Sequence, residues 1–204
     1  MIEEFNTIEA FSETKFKEKG SVFIGQAFPA ETEEDCLNIL EQVRKKYYDA
    51  THHCYAYNLP DRSKYSDAGE PNGTAGIRII NAIQHFNLTN LIIIVIRYFG
   101  GTKLGVGPLG KAYYTSAFQT LEASKIVTKI AFRKYTLNFD FNFTSQIHFI
   151  LSKLNAKIQS TDYLNNVSIT FLLKPAESEK LIKFISENLN NRVELKDTAE
   201  MYFI

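Results

Sequence analysis

Four polar residues near the middle of the chain have types that can do chemistry: His52, Asp67, Glu70 and Arg97. A histidine with two carboxylates is the usual make-up of a general acid/base set. An arginine beside them can pair a carboxylate or hold an anion. No G-x-S-x-G elbow, H-E-x-x-H helix or Ser-His-Asp order accompanies them, so no catalytic residue is assigned. His52, Asp67 and Glu70 stand as the set for an alternative reading, a small hydrolase or anion-binding enzyme. Asp67 and Glu70 sit in a glycine-bounded loop, where a carboxylate is either presented outward or caps the following helix. Arg97 ends a wholly apolar run, so its charge must be paired, with Glu70 or Asp67 as the partner, or stand at the sheet edge.

His52, His53 and Cys54 are consecutive. In a strand, alternation sends His53 to one face and His52 with Cys54 to the other. A zinc site wants about four ligands, and Asp67, Glu70 and His85 complete no recognisable set. No metal or cofactor is assigned. Cys54 reads as a small core residue, and His52 as either part of a cleft or a hydrogen-bonded structural group.

A second feature is the glycine-dense turn from Gly100 to Gly107, with Gly100, Gly101, Lys103 and, just beyond, Lys111. Gly105-Val-Gly-Pro-Leu-Gly110 literally reads G-x-G-x-x-G, but the acid that a dinucleotide site wants about twenty residues on is missing. It is not a P-loop either, because Lys103 is followed by Leu104. Two readings remain: N–H groups at a helix start holding a phosphate of RNA or another anion, or glycines that only permit tight turns and close packing.

The elements that must position these residues follow from periodicity. Residues 21–28 read as a strand, and Thr32 caps a helix with Leu37, Leu40, Val43 and Tyr47 on its apolar side. His53 to Leu59 alternates as a strand, and 60–73 reads as loop. A helix starts at Thr74 with Ile77, Ile80, Ile83 and Leu88 inward. Leu91 to Ile96 is apolar at every position, the pattern of a central strand covered on both faces. Pro108 is placed for the first residue of the next helix. After a reset near residue 130 the order is strand (135–143), helix (145–154), strand (156–161), strand (167–173), helix (175–189) and strand (193 onward). That β-α-β-β-α-β order is the ferredoxin-like unit.

Composition sets bounds. The chain has 204 residues and zero net charge, 23 basic against 23 acidic. Up to residue 130 there are 14 basic and 15 acidic residues, so neither half is a basic module. The longest apolar run is too short for a bilayer, and the N-terminus lacks the basic-then-apolar order of a signal peptide. A cytoplasmic location and two reduced, buried thiols, Cys36 and Cys54, are expected.

Four segments together resemble the YigZ/IMPACT family: Lys19-Gly-Ser21, Ala50-Thr-His-His-Cys-Tyr-Ala-Tyr57, Ser66-Asp-Ala-Gly-Glu-Pro-Asn-Gly-Thr-Ala-Gly76, and Val95-Ile-Arg-Tyr-Phe-Gly-Gly-Thr-Lys-Leu-Gly-Val-Gly-Pro-Leu-Gly-Lys-Ala-Tyr113. The resemblance implies a first domain (1–130) similar to the second domain of ribosomal protein S5 and to domain IV of elongation factor G. It implies a second (131–204), ferredoxin-like, similar to a C-terminal domain of that factor. It further implies a link to translational control, as in the family's eukaryotic members. Three departures stand out: Ala68 where the family usually has a second acid, Ile77-Arg78 where a proline is common just ahead, and Pro108-Leu109 where Gly-Leu is usual. Loss of the acid removes one hard oxygen ligand from that loop.

The expectation is therefore an α+β, two-domain, non-enzymatic binding or regulatory protein that docks on the ribosome, an RNA or a translation-associated protein. Its contact residues would be His52, Asp67, Glu70, Arg97, Gly100, Gly101, Lys103 and Lys111.

Overall fold

A computed structural model describes residues 3–189 and 192–204. The chain is an α+β protein of two compact units, one spanning Phe5–Thr128 and the other Lys129–Ile204 with the described residues up to Glu4. The division falls inside two hydrogen-bonded strands, β1 (Glu4–Ile8) and β7 (Ile126–Phe139).

The first unit is built on an antiparallel sheet. Its strands are β2 (Ser12–Glu18), β3 (Ser21–Pro29), β4 (His52–Asn58), β5 (Ser63–Ser66) and β6 (Leu91–Tyr98). They lie in the order β2-β3-β6-β4-β5. β6 is central and its residues from Leu91 to Arg97 are all buried. Helices cover both sheet faces, which is why an antiparallel strand carries a continuous apolar run. Ile92, Ile94 and Ile96 pack with α1 (Glu33–Lys46), and Ile93 and Val95 with α2 (Gly76–His85) and α3 (Val106–Glu122).

α1 begins with a reciprocal cap: Thr32 Oγ1 accepts from Asp35 N, and the Asp35 carboxylate accepts from Thr32 N. Cys36, Leu40 and Val43 form its buried stripe, and Leu37, expected inward, is 45% exposed because Cys36 takes that position on the core side. α2 starts two residues later than Thr74 and ends at His85. Asn87 follows in the left-handed region, so Leu88 is buried from beyond the helix. Ile79 takes a fully buried place where Ile77 is only partly covered. Pro108 is the third residue of α3 instead of the first.

The second unit contains β7, α4 (Thr144–Lys153), β8 (Lys157–Tyr163), β9 (Val167–Leu173), α5 (Ser178–Asn188) and β10 (Val193–Phe203). The antiparallel order β10-β7-β9-β8 is that of a ferredoxin-like sheet. Tyr135, Leu137, Phe139, Ile169 and Phe171 meet Ile147, Leu151, Leu181 and Ile185 of the two helices in one core. β7 stops at Phe139, four residues short of the expectation, because the Asp140 carboxylate accepts from Asn142 N and turns the chain into a short 3-10 helix.

Candidate functional site

Three of the residues singled out in the sequence meet at one carboxylate. Strand pairing sets His52 of β4 opposite Arg97 of β6, and Phe23 of β3 opposite Arg97 on its other side. Glu70, from the loop between β5 and α2, reaches back to this row. One of its oxygens accepts from Arg97 at 2.5 Å and from the Tyr113 hydroxyl at 2.7 Å. The other lies 3.7 Å from His52 Nε2. Glu70 and Arg97 have side-chain exposures of only 4% and 6%, so each charge depends on the other. Arg97 also donates to Ser21 Oγ at 3.3 Å and stands over the rings of Phe23 and Phe99.

His52 lies against the backbone of the same loop, its Nδ1 3.0 Å from the Ala68 carbonyl oxygen. An acceptor there requires Nδ1 to carry the proton, which turns Nε2 toward Glu70. His53 faces the opposite way, with Nε2 2.9 Å from the Tyr47 carbonyl, as alternation requires. Cys54, on the His52 face, donates its thiol to the Asp67 carbonyl at 2.9 Å. Burial pushes that thiol up to about 12, so it is a protonated core group at neutral pH.

Asp67 is in the same loop but turns elsewhere. Its carboxylate accepts from Gly73 N, Ala75 N and Gly76 N, each at 2.8 Å. These are donors at the start of α2, a helix without a side-chain cap of its own. Burial alone raises its pKa, but the three N–H bonds outweigh burial and hold it below the usual carboxylate value. Asp67 is a helix cap delivered across a loop, and its oxygens are already engaged. Between Asp67 and Glu70 the loop is tightly bent, with Ala68 at φ 44° and Gly69 at φ 89°. The acid usual in the family at position 68 would enter the left-handed region more readily than alanine.

The glycine turn divides into two parts. Gly100 is packed backbone to backbone: a Cβ there would sit 1.9 Å from the Gly20 carbonyl carbon. Its N–H donates to Ser21 Oγ, the hydroxyl that Arg97 also uses, so the turn is tied to the Glu70 cluster. Gly101 and Gly105 both have φ of 84°, a conformation that glycine alone adopts freely. From Gly101 to Lys103 the turn is exposed, as is Lys111 in α3. Neither lysine has an acidic partner among the described residues.

The structure thus brings together His52, Glu70, Arg97 and Gly100, sends Asp67 to α2, and leaves Gly101, Lys103 and Lys111 on the surface. Sequence reasoning missed Tyr113 and Ser21 as members of the cluster. A tyrosine on the buried stripe of a helix needs a partner for its hydroxyl, and that was the available signal. Among the described residues no three His, Cys, Asp or Glu are grouped to hold a metal.

A buried charge cluster locking a motif loop to an antiparallel sheet, joined to a ferredoxin-like unit, is the arrangement with which known proteins can be compared. Residues 19–121 match the Impact N-terminal domain, and residues 137–192 match a domain of unknown function (DUF1949). The chain belongs to the IMPACT family. Relatives include the IMPACT family member YigZ of Escherichia coli, 33% identical over 81% of this chain and 86% of that protein. The IMPACT family member YvyE of Bacillus subtilis is 26% identical over 99% of this chain and 94% of its own. Protein IMPACT of Oryctolagus cuniculus is 29% identical over 43% of this chain and 30% of its length. A solved structure described as that of a hypothetical protein superposes with a TM-score of 0.68 at 27% identity, covering 98% of this chain and 100% of that one. No described helix is long and apolar enough to cross a membrane.

Proposed function

We propose that this protein is a non-enzymatic binding protein of the cytoplasm, linked to translation, that docks on the ribosome, an RNA or a translation-associated protein. The observation that carries the reading is the internal use of the motif polar groups. Glu70 is spent on Arg97 and Tyr113, and Asp67 on three backbone N–H groups. With Glu70 and Asp67 engaged, the acid/base set is reduced to His52, and the protonated Cys54 thiol gives it no activated nucleophile. These groups stiffen a platform whose exposed part is the Gly101–Lys103 turn and Lys111. Family membership and the translation-factor-like folds implied by the resemblance support the translation link.

The test is recovery of tagged protein from lysate at low salt, with co-purifying RNA and protein identified. Ribosomal RNA, another RNA or a translation factor is expected to be enriched over a tag control. A clean recovery with none of these overturns the reading.

A further inference from the structure

Two open clefts meet along the first turns of α3, and Gly107 and Lys111 line both. One, of about 520 Å3, is also lined by Phe16, Glu18 and Lys19. The other, of about 350 Å3, is also lined by Arg78, Asn81 and Tyr114. Lys19, Arg78 and Lys111 are exposed, and none has an acidic partner among the described residues. Lys111 is the ridge, with one further cation in the cleft on either side.

Gly107 is the second observation. Gly100, Gly101 and Gly105 each answer a need of the chain itself, a close approach or a positive φ. Gly107 has no left-handed φ, and apart from its chain neighbours a Cβ there would meet nothing within 4 Å, but it stands directly before Pro108, where a Cβ disfavours the helical conformation. Ahead of a proline the usual helix preference for alanine over glycine is offset, so the fold does not by itself call for a side chain. A ligand that comes up against the backbone is served by its absence. First-turn N–H groups without intrahelical acceptors lie at this end of α3, which favours an anion.

The geometry points to a groove for single-stranded RNA. Its backbone would cross Lys111 over Gly107, with neighbouring phosphates at Lys19 and Arg78, and bases would meet only the outer sides of Phe16 and Tyr114, which line the clefts while packing on the core. A single phosphate would call for cations converging on one point. These line two clefts, which suits a chain of phosphates. This inference rests on the translation-linked binding reading and names the chemistry of its partner.

The test uses the full chain and a fluorescein-labelled oligouridylate, followed by anisotropy across a salt series. Lys111→Ala and Arg78→Ala should each weaken binding several-fold and lower the salt slope by about 0.7–1. Gly107→Leu should weaken it several-fold in a protein that still unfolds cooperatively on heating. Glu18→Gln should tighten it. Wild type failing to bind, Gly107→Leu and Lys111→Ala both keeping wild-type affinity, or oligoglutamate of equal charge binding as well would each overturn the groove. In any of those cases, capture of ribosomal RNA or of a ribosomal or translation protein from lysate would leave the broader reading standing, and a clean recovery with no RNA and no such protein would remove both.

Discussion

Glu70 and Arg97 are 27 residues apart in sequence and form a buried ion pair 2.5 Å long, with the Tyr113 hydroxyl on the same carboxylate oxygen. Through it the loop carrying Asp67 and Glu70 is fixed to the central strand, and through Ser21 the glycine turn is fixed to the same guanidinium. Three motif segments distant in sequence therefore share one anchor. Breaking the pair on one side leaves a buried charge uncompensated. Glu70→Ala should cost about 3–5 kcal/mol of unfolding free energy, measured by urea denaturation. A loss below about 1 kcal/mol, the range of a surface pair, would contradict the buried-anchor account.

Asp67 should act through α2. Asp67→Ala removes the acceptor for three N–H groups and should cost about 1–2 kcal/mol, as for lost helix caps. Because its folded pKa lies below the unfolded value, the contribution is present above the unfolded carboxylate pKa and is lost as pH falls through the folded one. The stability gap between wild type and Asp67→Asn should therefore narrow on acidification below about pH 4, the unfolded carboxylate value. A gap that widens there would reverse the sign.

Ala68 sits at φ 44° with no glycine freedom. Ala68→Gly should raise stability by about 0.5–1 kcal/mol, the left-handed cost of alanine less the added chain entropy of glycine. Calorimetric melting of the two proteins decides it, and a lower melting temperature for the variant would be the wrong sign.

Cys36 and Cys54 are both buried free thiols whose pKa burial pushes up to about 12. Neither should react with iodoacetamide at neutral pH in the native protein, and both should react after denaturation. Rapid native alkylation of Cys54, read by mass spectrometry, would show that the thiolate is accessible.

The strongest elements were legible because one signal dominated them. The apolar run of β6 names a strand covered on both faces, and Thr32 with three acids after it names the start of α1. The edge strands of the first sheet were not legible. β2 has Phe16 as its sole aromatic among Lys15, Lys17 and two glutamates, and β5 lies inside what reads as loop. Edge strands are held by one neighbour and often carry charge, so composition hides them. At the site, the Arg97 partner was narrowed to two acids, and pairing distances decided for Glu70. The capping role of Asp67 was one of two readings, settled by backbone N–H positions that no spacing rule supplies. Tyr113 and Ser21 join the cluster only through tertiary packing.

The most direct test of the rigid-platform account separates the anchor from the exposed surface. Lysate recovery at low salt should be compared for wild type and for the Lys103→Glu/Lys111→Glu double variant, with melting temperatures measured alongside. The account predicts that the double variant melts like wild type and loses the co-purifying RNA or translation factor. Wild-type capture by that variant, at unchanged stability, would contradict it.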